Sequence, residues 1–91
     1  MKPELNATPK LAPGVRLNDK NQQSRTLLMP ERALRLNGPS LAIVELCDGN
    51  HTVQQIAEKL HAMYSKAEPQ RITNDLLGYL ALLHDQRAID F

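Results

Sequence analysis

The apolar and polar positions in the first third of the chain follow the two-residue repeat of short strands. Val15–Leu17 alternates, Thr26–Met29 is a short apolar run, and Arg32–Leu36 alternates again. The polar run at 18–23 predicts the loop of a hairpin. Pro30 ends the second strand, because proline has no amide proton to donate to a strand ladder. The pattern therefore predicts three short antiparallel strands.

A helical spacing replaces this alternation after the third strand. Asn37 is the expected N-cap of a first helix, with Pro39 tolerated in its first turn. Gly49 fits a left-handed residue that ends this helix. The expected apolar face of the helix comprises Leu41, Ile43, Val44, Leu46 and Cys47.

A second helix is predicted to follow Thr52, because Thr52 and Gln55 form the pattern of a capping box. Its apolar positions recur at helical spacing. They are Val53, Ile56, Ala57, Leu60, Met63 and Tyr64. The segment from Ser65 to Pro69 interrupts the helical pattern. A third helix is expected from near Gln70 to Asp85.

The third helix is apolar over a wider arc than a surface helix needs. A stripe somewhat over ~100° wide is enough for a surface helix. Here the apolar side chains cover roughly two-thirds of the circumference at about 100° per residue. They are Ile72, Leu76, Leu77, Tyr79, Leu80, Ala81, Leu82 and Leu83. Such an arc is typical either of a central helix packed on several sides or of a helix that lines a groove for a partner.

The order of these elements predicts one small α+β domain of winged-helix character, in which a three-stranded antiparallel sheet precedes three helices. Residues 1–10 hold two prolines and few apolar side chains, and we expect them to form a flexible tail. The single domain then covers residues 11–91 and ends in a short extended segment at 88–91.

Composition and charge restrict the possible partners and the compartment. The 91 residues carry a net charge of +1, so no strong field directs the protein to nucleic acid or to a membrane. The single cysteine, Cys47, excludes an internal disulfide and is expected to be a small buried hydrophobe. No apolar run reaches the ~18–20 residues of a membrane span. The first residues lack the apolar core of a signal peptide, and we expect a cytoplasmic protein.

No constellation of side chains in the sequence indicates catalysis. His51, His61 and His84 are isolated from ligand-type residues at metal-binding spacing. The serines stand in turn or cap positions, and the glycines lack the spacing of a phosphate-binding loop. The sequence therefore predicts a non-enzymatic protein with no catalytic residues, no metal site and no cofactor.

The third predicted strand, Arg32–Leu36, is a candidate binding element. In a simple meander it lies at a sheet edge, where main-chain N–H and C=O groups allow an extended peptide to add as a further strand. Arg32 and Arg35 are equally typical of charges that protect an edge from aggregation. An exposed edge strand would also allow the protein to form a homodimer or to exchange elements with a second copy.

A small DNA-binding regulator is the alternative function, because the two helices around the Asp-Gly pair at 48–49 resemble a helix-turn-helix. A recognition helix normally carries clustered lysines and arginines. Here Lys59 stands beside Glu58, and Arg71 is balanced by Asp75. Because acidic side chains balance the basic ones, these helices are poorly suited to neutralise the phosphates of DNA.

An ordered set of short motifs spans nearly the whole chain. They are Pro13-Gly14-Val15-Arg16, Leu28-Met29-Pro30-Glu31, Arg35-Leu36-Asn37, Cys47-Asp48-Gly49 and Thr52-Val53-Gln54-Gln55-Ile56. In this order they resemble the pyrroloquinoline quinone biosynthesis protein D (PqqD) family. Two segments depart from the family pattern. Ser24–Leu27 lacks the usual aromatic residue of the second strand, and Arg87-Ala88-Ile89 replaces an Arg-Gly-hydrophobic ending.

The resemblance implies a peptide chaperone of pyrroloquinoline quinone (PQQ) biosynthesis. Such proteins bind a ribosomal precursor peptide and present it to a radical S-adenosylmethionine (radical SAM) enzyme, which cross-links a glutamate and a tyrosine of the peptide. Their fold is a precursor-peptide recognition element, with the peptide between the third strand and the third helix. The implied contact residues on this chain are Arg32, Ala33, Leu34, Arg35 and Leu36 on the strand, and Asp75, Leu76, Tyr79, Leu80, Leu83 and His84 on the helix.

Overall fold

The protein folds as a small sheet followed by three helices, and a computed structural model describes residues 2–18, 26–30, 32–36 and 39–91. The elements in chain order are β1 Lys10–Leu11, β2 Arg16–Asn18, β3 Thr26–Met29, β4 Arg32–Arg35, α1 Pro39–Leu46, α2 Val53–Met63, α3 Pro69–Asp85 and β5 Ile89–Asp90. The predicted α+β class is confirmed. The expected hairpin loop, apart from Asn18, and the expected N-cap Asn37 lie outside the described residues.

The three central strands form the predicted meander. β2 pairs antiparallel with β3 and β3 pairs antiparallel with β4, which leaves β4 at one end of the strand order. Leu27 of β3 is fully buried and stands opposite Leu34 of β4, which is half-buried. The other three residues of β4 are exposed. β4 is therefore an edge strand with one side chain turned toward the core.

The core lies between this sheet and the three helices. Its largest fully buried side chains include Leu27, Val44, Val53, Ile56, Leu76, Leu80, Leu83 and Ile89. The apolar stripe predicted for α2 is confirmed as far as Leu60 and is wrong at its end. Met63 is 55% exposed and Tyr64 is also exposed, because α2 stops at Met63 and the chain turns away. None of the described helices has the length and apolarity needed to cross a membrane.

A capping box starts α2, as predicted. The Thr52 side chain accepts a hydrogen bond from the Gln55 amide at 3.1 Å, and the Gln55 side chain accepts one from the Thr52 amide at 2.9 Å. Gly49 has the expected left-handed φ of 80°. Its expected role in ending α1 is wrong, because α1 ends at Leu46 and the Gly49 amide donates to the Pro9 carbonyl at 2.9 Å.

The segment before β1 packs against the start of α2. The Val53 amide donates to the Ala7 carbonyl at 2.9 Å, and the Gln54 amide donates to the Leu5 carbonyl at 3.0 Å. These amides belong to the first turn of α2, where no helix carbonyl is available. The described residues of this segment therefore differ from the flexible tail expected over 1–10, because their carbonyls complete the cap of α2.

A second, two-stranded sheet joins the beginning of the described chain to its end. β1 pairs antiparallel with β5, and Lys10 stands opposite Asp90. The Ala12 amide adds a hydrogen bond to the Ala88 carbonyl at 2.9 Å. The extended C-terminal segment predicted from the sequence is thus confirmed as a strand, and its partner is the N-terminal segment.

Candidate functional site

One hydrogen bond connects β4 to the end of α3, and a second connects the start of α1 to the middle of α3. At the start of β4, Arg32 Nη2 donates a hydrogen bond to the Gln86 carbonyl, just past the end of α3, at 3.3 Å. Beyond the end of β4, Ser40 in the first turn of α1 shares a side-chain hydrogen bond with Tyr79. Between Arg32 and Ser40 the chain thus passes from the end of α3 toward its middle. We call the space between β4 and α3 the groove.

One stripe of the third helix and its C-cap faces the groove. Asp75, Tyr79, Leu82 and Gln86 are spaced i, i+4, i+7 and i+11, so they follow one another along one side. Asp75 is exposed, Tyr79 is half-buried and Leu82 is 46% exposed. Sequence reasoning left Leu82 out of the contact set. It lies one turn from both Tyr79 and Gln86, on the same side of α3.

The structure places several predicted contact residues in the core. Leu76, Leu80 and Leu83 of α3 are each 0% exposed, and Leu36 after β4 is also buried. For the three leucines of α3, the interpretation of that helix as central and packed holds. They belong to the core beneath the exposed side chains of β4 and α3.

His84, another predicted contact residue, lies on the opposite side of α3. At about 100° per residue it is displaced by roughly 140° from Tyr79. Its ring packs against Phe91, with centroids 4.3 Å apart and an angle of 34° between the planes. Thr73, eleven residues earlier on the same side, approaches His61 of α2 at 3.2 Å. The structure therefore separates His84 from the groove.

The remaining predicted contact residues lie on β4 and on the stripe of α3. Arg32, Ala33 and Arg35 are exposed along β4, and Leu34 is half-buried between them. Across the groove, burial raises the pKa of Tyr79 above its ordinary value, and the hydrogen bond from Ser40 opposes this only in part. The phenol is therefore uncharged at neutral pH and remains able to donate a hydrogen bond.

A cavity opens near each end of the groove. A shallow one of about 390 Å³ lies beside Arg32, Gln86 and Arg87. The other, of about 460 Å³, lies beyond Pro39 between the end of α2 and the start of α3. Asp75 borders this second cavity and also belongs to the stripe on α3.

Two titratable groups away from the groove, Cys47 and Asp48, have shifted pKa values. In the turn between α1 and α2, His51 contacts Asp48 at 2.9 Å, and this hydrogen bond lowers the pKa of Asp48. Burial, aided by the negative charge of Asp48, raises the pKa of Cys47 to about 12, so its thiol stays protonated. Among the described residues, no three His, Cys, Asp or Glu side chains gather closely enough to hold a metal ion.

The chain is similar to known proteins over most of its length. Residues 25–89 match the family described as coenzyme PQQ synthesis protein D (PqqD). Over 83 residues the chain is 40% identical to the bifunctional coenzyme PQQ synthesis protein C/D of Methylorubrum extorquens, a match that covers 90% of this chain and 22% of that protein. Over 82 residues it is 33% identical to a PqqA binding protein of Xanthomonas campestris pv. campestris, covering 89% of this chain and 88% of the relative.

Two solved structures resemble the fold. The solution structure of the PqqD truncation of Methylobacterium extorquens PqqCD has a TM-score of 0.73 at 39% identity, covering 91% of this chain and 88% of that one. That truncation is described as a functional and stand-alone recognition element for ribosomally synthesized and post-translationally modified peptides (RiPPs). The crystal structure of PqqD from Xanthomonas campestris has a TM-score of 0.56 at 31% identity, covering 93% and 94%. The motifs and the fold therefore point to one family.

Proposed function

Because the chain belongs to the PqqD family, we propose that it binds the precursor peptide of PQQ biosynthesis and presents it to a radical SAM enzyme. The Xanthomonas relative is named for binding PqqA, and the Methylobacterium domain is described as a RiPP recognition element. The family assignment does not favour the alternative of a DNA-binding regulator.

The observation that carries this proposal is the exposed edge of β4 beside the stripe on α3. A peptide that adds to β4 forms main-chain hydrogen bonds with the strand, while its side chains meet the helix. The contact residues are then Arg32, Ala33, Leu34 and Arg35 on the strand and Asp75, Tyr79 and Leu82 on the helix. Leu36, Leu76, Leu80 and Leu83 hold the two elements in place from the core.

The energetics of strand addition assign different roles to these contacts. Ordering one peptide residue costs about 1–2 kcal/mol of backbone entropy. A main-chain hydrogen bond returns only about 0.5–1.5 kcal/mol net. Main-chain pairing alone therefore roughly offsets the ordering cost, and affinity depends on apolar burial, near 25 cal/mol per Å². Leu34, Tyr79 and Leu82 are the side chains that offer this surface in the groove.

We assign the chain a binding role with no catalytic step of its own. The relatives carry the names of a binding protein and a recognition element. In this role the protein holds the flexible precursor in an extended form, so that the radical SAM enzyme receives an ordered substrate. The relative with a fused C domain is consistent with delivery to a biosynthetic enzyme.

Titration of ¹⁵N-labelled protein with the PqqA peptide tests the proposal. Amide shifts are expected to cluster at residues 32–35 and along 75–86, whereas a scrambled peptide of the same composition should produce none. Shifts confined to residues 10–18 would place the binding site elsewhere. Adding the radical SAM enzyme should then give a ternary complex in sedimentation, and an enzyme that sediments separately would contradict the presentation step.

A further inference from the structure

A cavity lies beyond the end of β4. Pro39, three residues after Leu36, forms one side of this cavity of about 460 Å³. Asp75 forms another side and lies one helical turn before Tyr79, so the stripe on α3 leads directly into the cavity. A chain that lies along β4 therefore meets this opening as it leaves the strand.

The interior of the cavity is apolar. Its floor consists of the buried side chains Ile43, Leu60 and Leu76, and Ile72 forms part of the wall. Charged side chains of both signs stand at the rim, namely Lys66, Glu68, Arg71 and Asp75. An apolar interior of this size with a few polar groups at its mouth is typical of a ligand site.

We propose that this cavity takes one apolar side chain of the bound peptide, from the residues N-terminal to the segment that pairs with β4. The inference rests on the proposed function. Both strand pairs of this sheet are antiparallel. A peptide that continues this pattern places its N-terminal end beside Arg35 and runs on over Pro39. Three residues span at most about 10 Å, so two or three further peptide residues reach the opening.

Such a contact fixes the register, that is, which peptide residue pairs with which residue of β4. Main-chain hydrogen bonds repeat along a strand, and a short edge specifies the pairing register only weakly unless side chains distinguish the alternatives. A two-residue slip along β4 would keep the same peptide face toward α3. One side chain fixed in the cavity excludes that slip and also selects the direction of the peptide.

The isoleucine methyl groups report on this site directly. The chain has four isoleucines, of which Ile43 and Ile72 border the cavity while Ile56 and Ile89 lie in the core. On binding PqqA, the methyl resonances of Ile43 and Ile72 should shift and those of Ile56 and Ile89 should not. Removing the N-terminal residues of PqqA should abolish the two shifts and leave the amide shifts at 32–35. Unchanged Ile43 and Ile72 resonances beside shifted 32–35 amides would overturn the inference.

Filling the cavity tests the same inference through affinity. Ala67 is exposed and borders the cavity, so Ala67→Phe occupies its mouth without changing the floor. Ala62→Phe is the matched control, because Ala62 is exposed on another surface of α2. Ala67→Phe should weaken binding of full-length PqqA about tenfold, or ~1.4 kcal/mol, and Ala62→Phe should not. The N-terminally truncated peptide should bind both variants equally.

The outcomes separate this inference from the proposed function. Equal affinities of the two variants for full-length PqqA, with shifts retained at 32–35, would overturn the cavity assignment and leave strand addition in place. A wild-type protein that binds no PqqA would overturn the proposed function and the cavity assignment together. The thermal unfolding midpoint of each variant checks that it is folded under the conditions of the affinity measurement.

Discussion

Arg32 on the edge strand donates a hydrogen bond to the carbonyl of Gln86, 54 positions later, and so connects β4 to the end of α3. This bond spans the groove at one end, as the Ser40–Tyr79 hydrogen bond does near the other. Two polar contacts thus set the separation of the elements between which we propose that a peptide binds.

Replacing Arg32 should loosen the groove at one end. Arg32→Ala is expected to weaken PqqA binding severalfold, because the strand loses its connection to Gln86. Stability should change by only about 0.5 kcal/mol, as is usual for exposed positions. Arg16→Ala on β2 is the control, since Arg16 is also exposed. Calorimetric titration compares the two variants, and equal affinities would show that the contact with Gln86 does not shape the site.

Substitutions at Leu82 and Leu80 should have different effects: the first should weaken peptide binding and the second should lower stability. Leu80 is fully buried, so Leu80→Ala should cost about 2–5 kcal/mol of unfolding free energy. Leu82 is 46% exposed in the groove, so Leu82→Ala should leave the denaturant midpoint nearly unchanged. It should instead weaken PqqA binding about tenfold, or ~1.4 kcal/mol.

Leu5→Ala is the matched control for Leu82→Ala, because Leu5 is 49% exposed and lies before β1. Its affinity for PqqA should equal that of the wild type. A Leu82→Ala variant that binds equally well would mean that the exposed stripe on α3 takes no part in recognition.

The capping box should affect folding and leave binding intact. Thr52→Ala removes the oxygen that accepts from the Gln55 amide, and such losses typically cost about 1 kcal/mol. Thermal unfolding should therefore shift to lower temperature, while the folded protein binds PqqA with wild-type affinity. Reduced affinity of fully folded Thr52→Ala would indicate that the start of α2 contacts the peptide.

Cys47 should make the protein sensitive to alkaline pH. Its pKa is raised from 9.0 to about 12 in the folded state by burial. Below pH 9 both states keep the thiol proton, so this contribution to stability is complete. Between pH 9 and 12 the unfolded chain loses the proton first, and the free energy of unfolding falls.

Urea unfolding of wild type and Cys47→Ala across this pH range measures the effect. The midpoint of the wild type should fall more steeply with pH than that of the variant, in which only the groups common to both proteins titrate. Parallel pH profiles would contradict a buried thiol at position 47.

The isolated protein should not alter its peptide. Incubation with PqqA is expected to leave the peptide mass unchanged, because we assign the protein a binding role only. Mass spectrometry with and without the radical SAM enzyme checks this. Loss of mass in the absence of that enzyme would contradict the assignment.

The sequence predicts the features that depend on neighbouring residues. Thr52 and Gln55 are three positions apart, and both halves of their capping box follow from that spacing. The end of β3 also follows, because Pro30 stops the ladder directly after Met29. The composition of the core of α3 is likewise apparent from its leucine spacing.

The orientation of α3 depends on contacts from distant parts of the chain and could not be predicted. Its wide apolar arc does not reveal which side of the helix faces β4. The hydrogen bonds between Arg32 and Gln86 and between Ser40 and Tyr79 determine that side. The resemblance implies His84 as a contact residue, yet its ring packs against Phe91 on the other side of α3. The segment before β1 attaches through main-chain carbonyls, which leave no signature in side-chain composition.

The pairing of β1 with β5 also bears on the order of folding. Lys10 meets Asp90 only after nearly the whole described chain has been brought into a loop, and closing a long loop is slow compared with forming a helix or a hairpin. The meander and the α2–α3 pair need no such closure. The pairing of β1 with β5 is thus expected to form later than either of these two units.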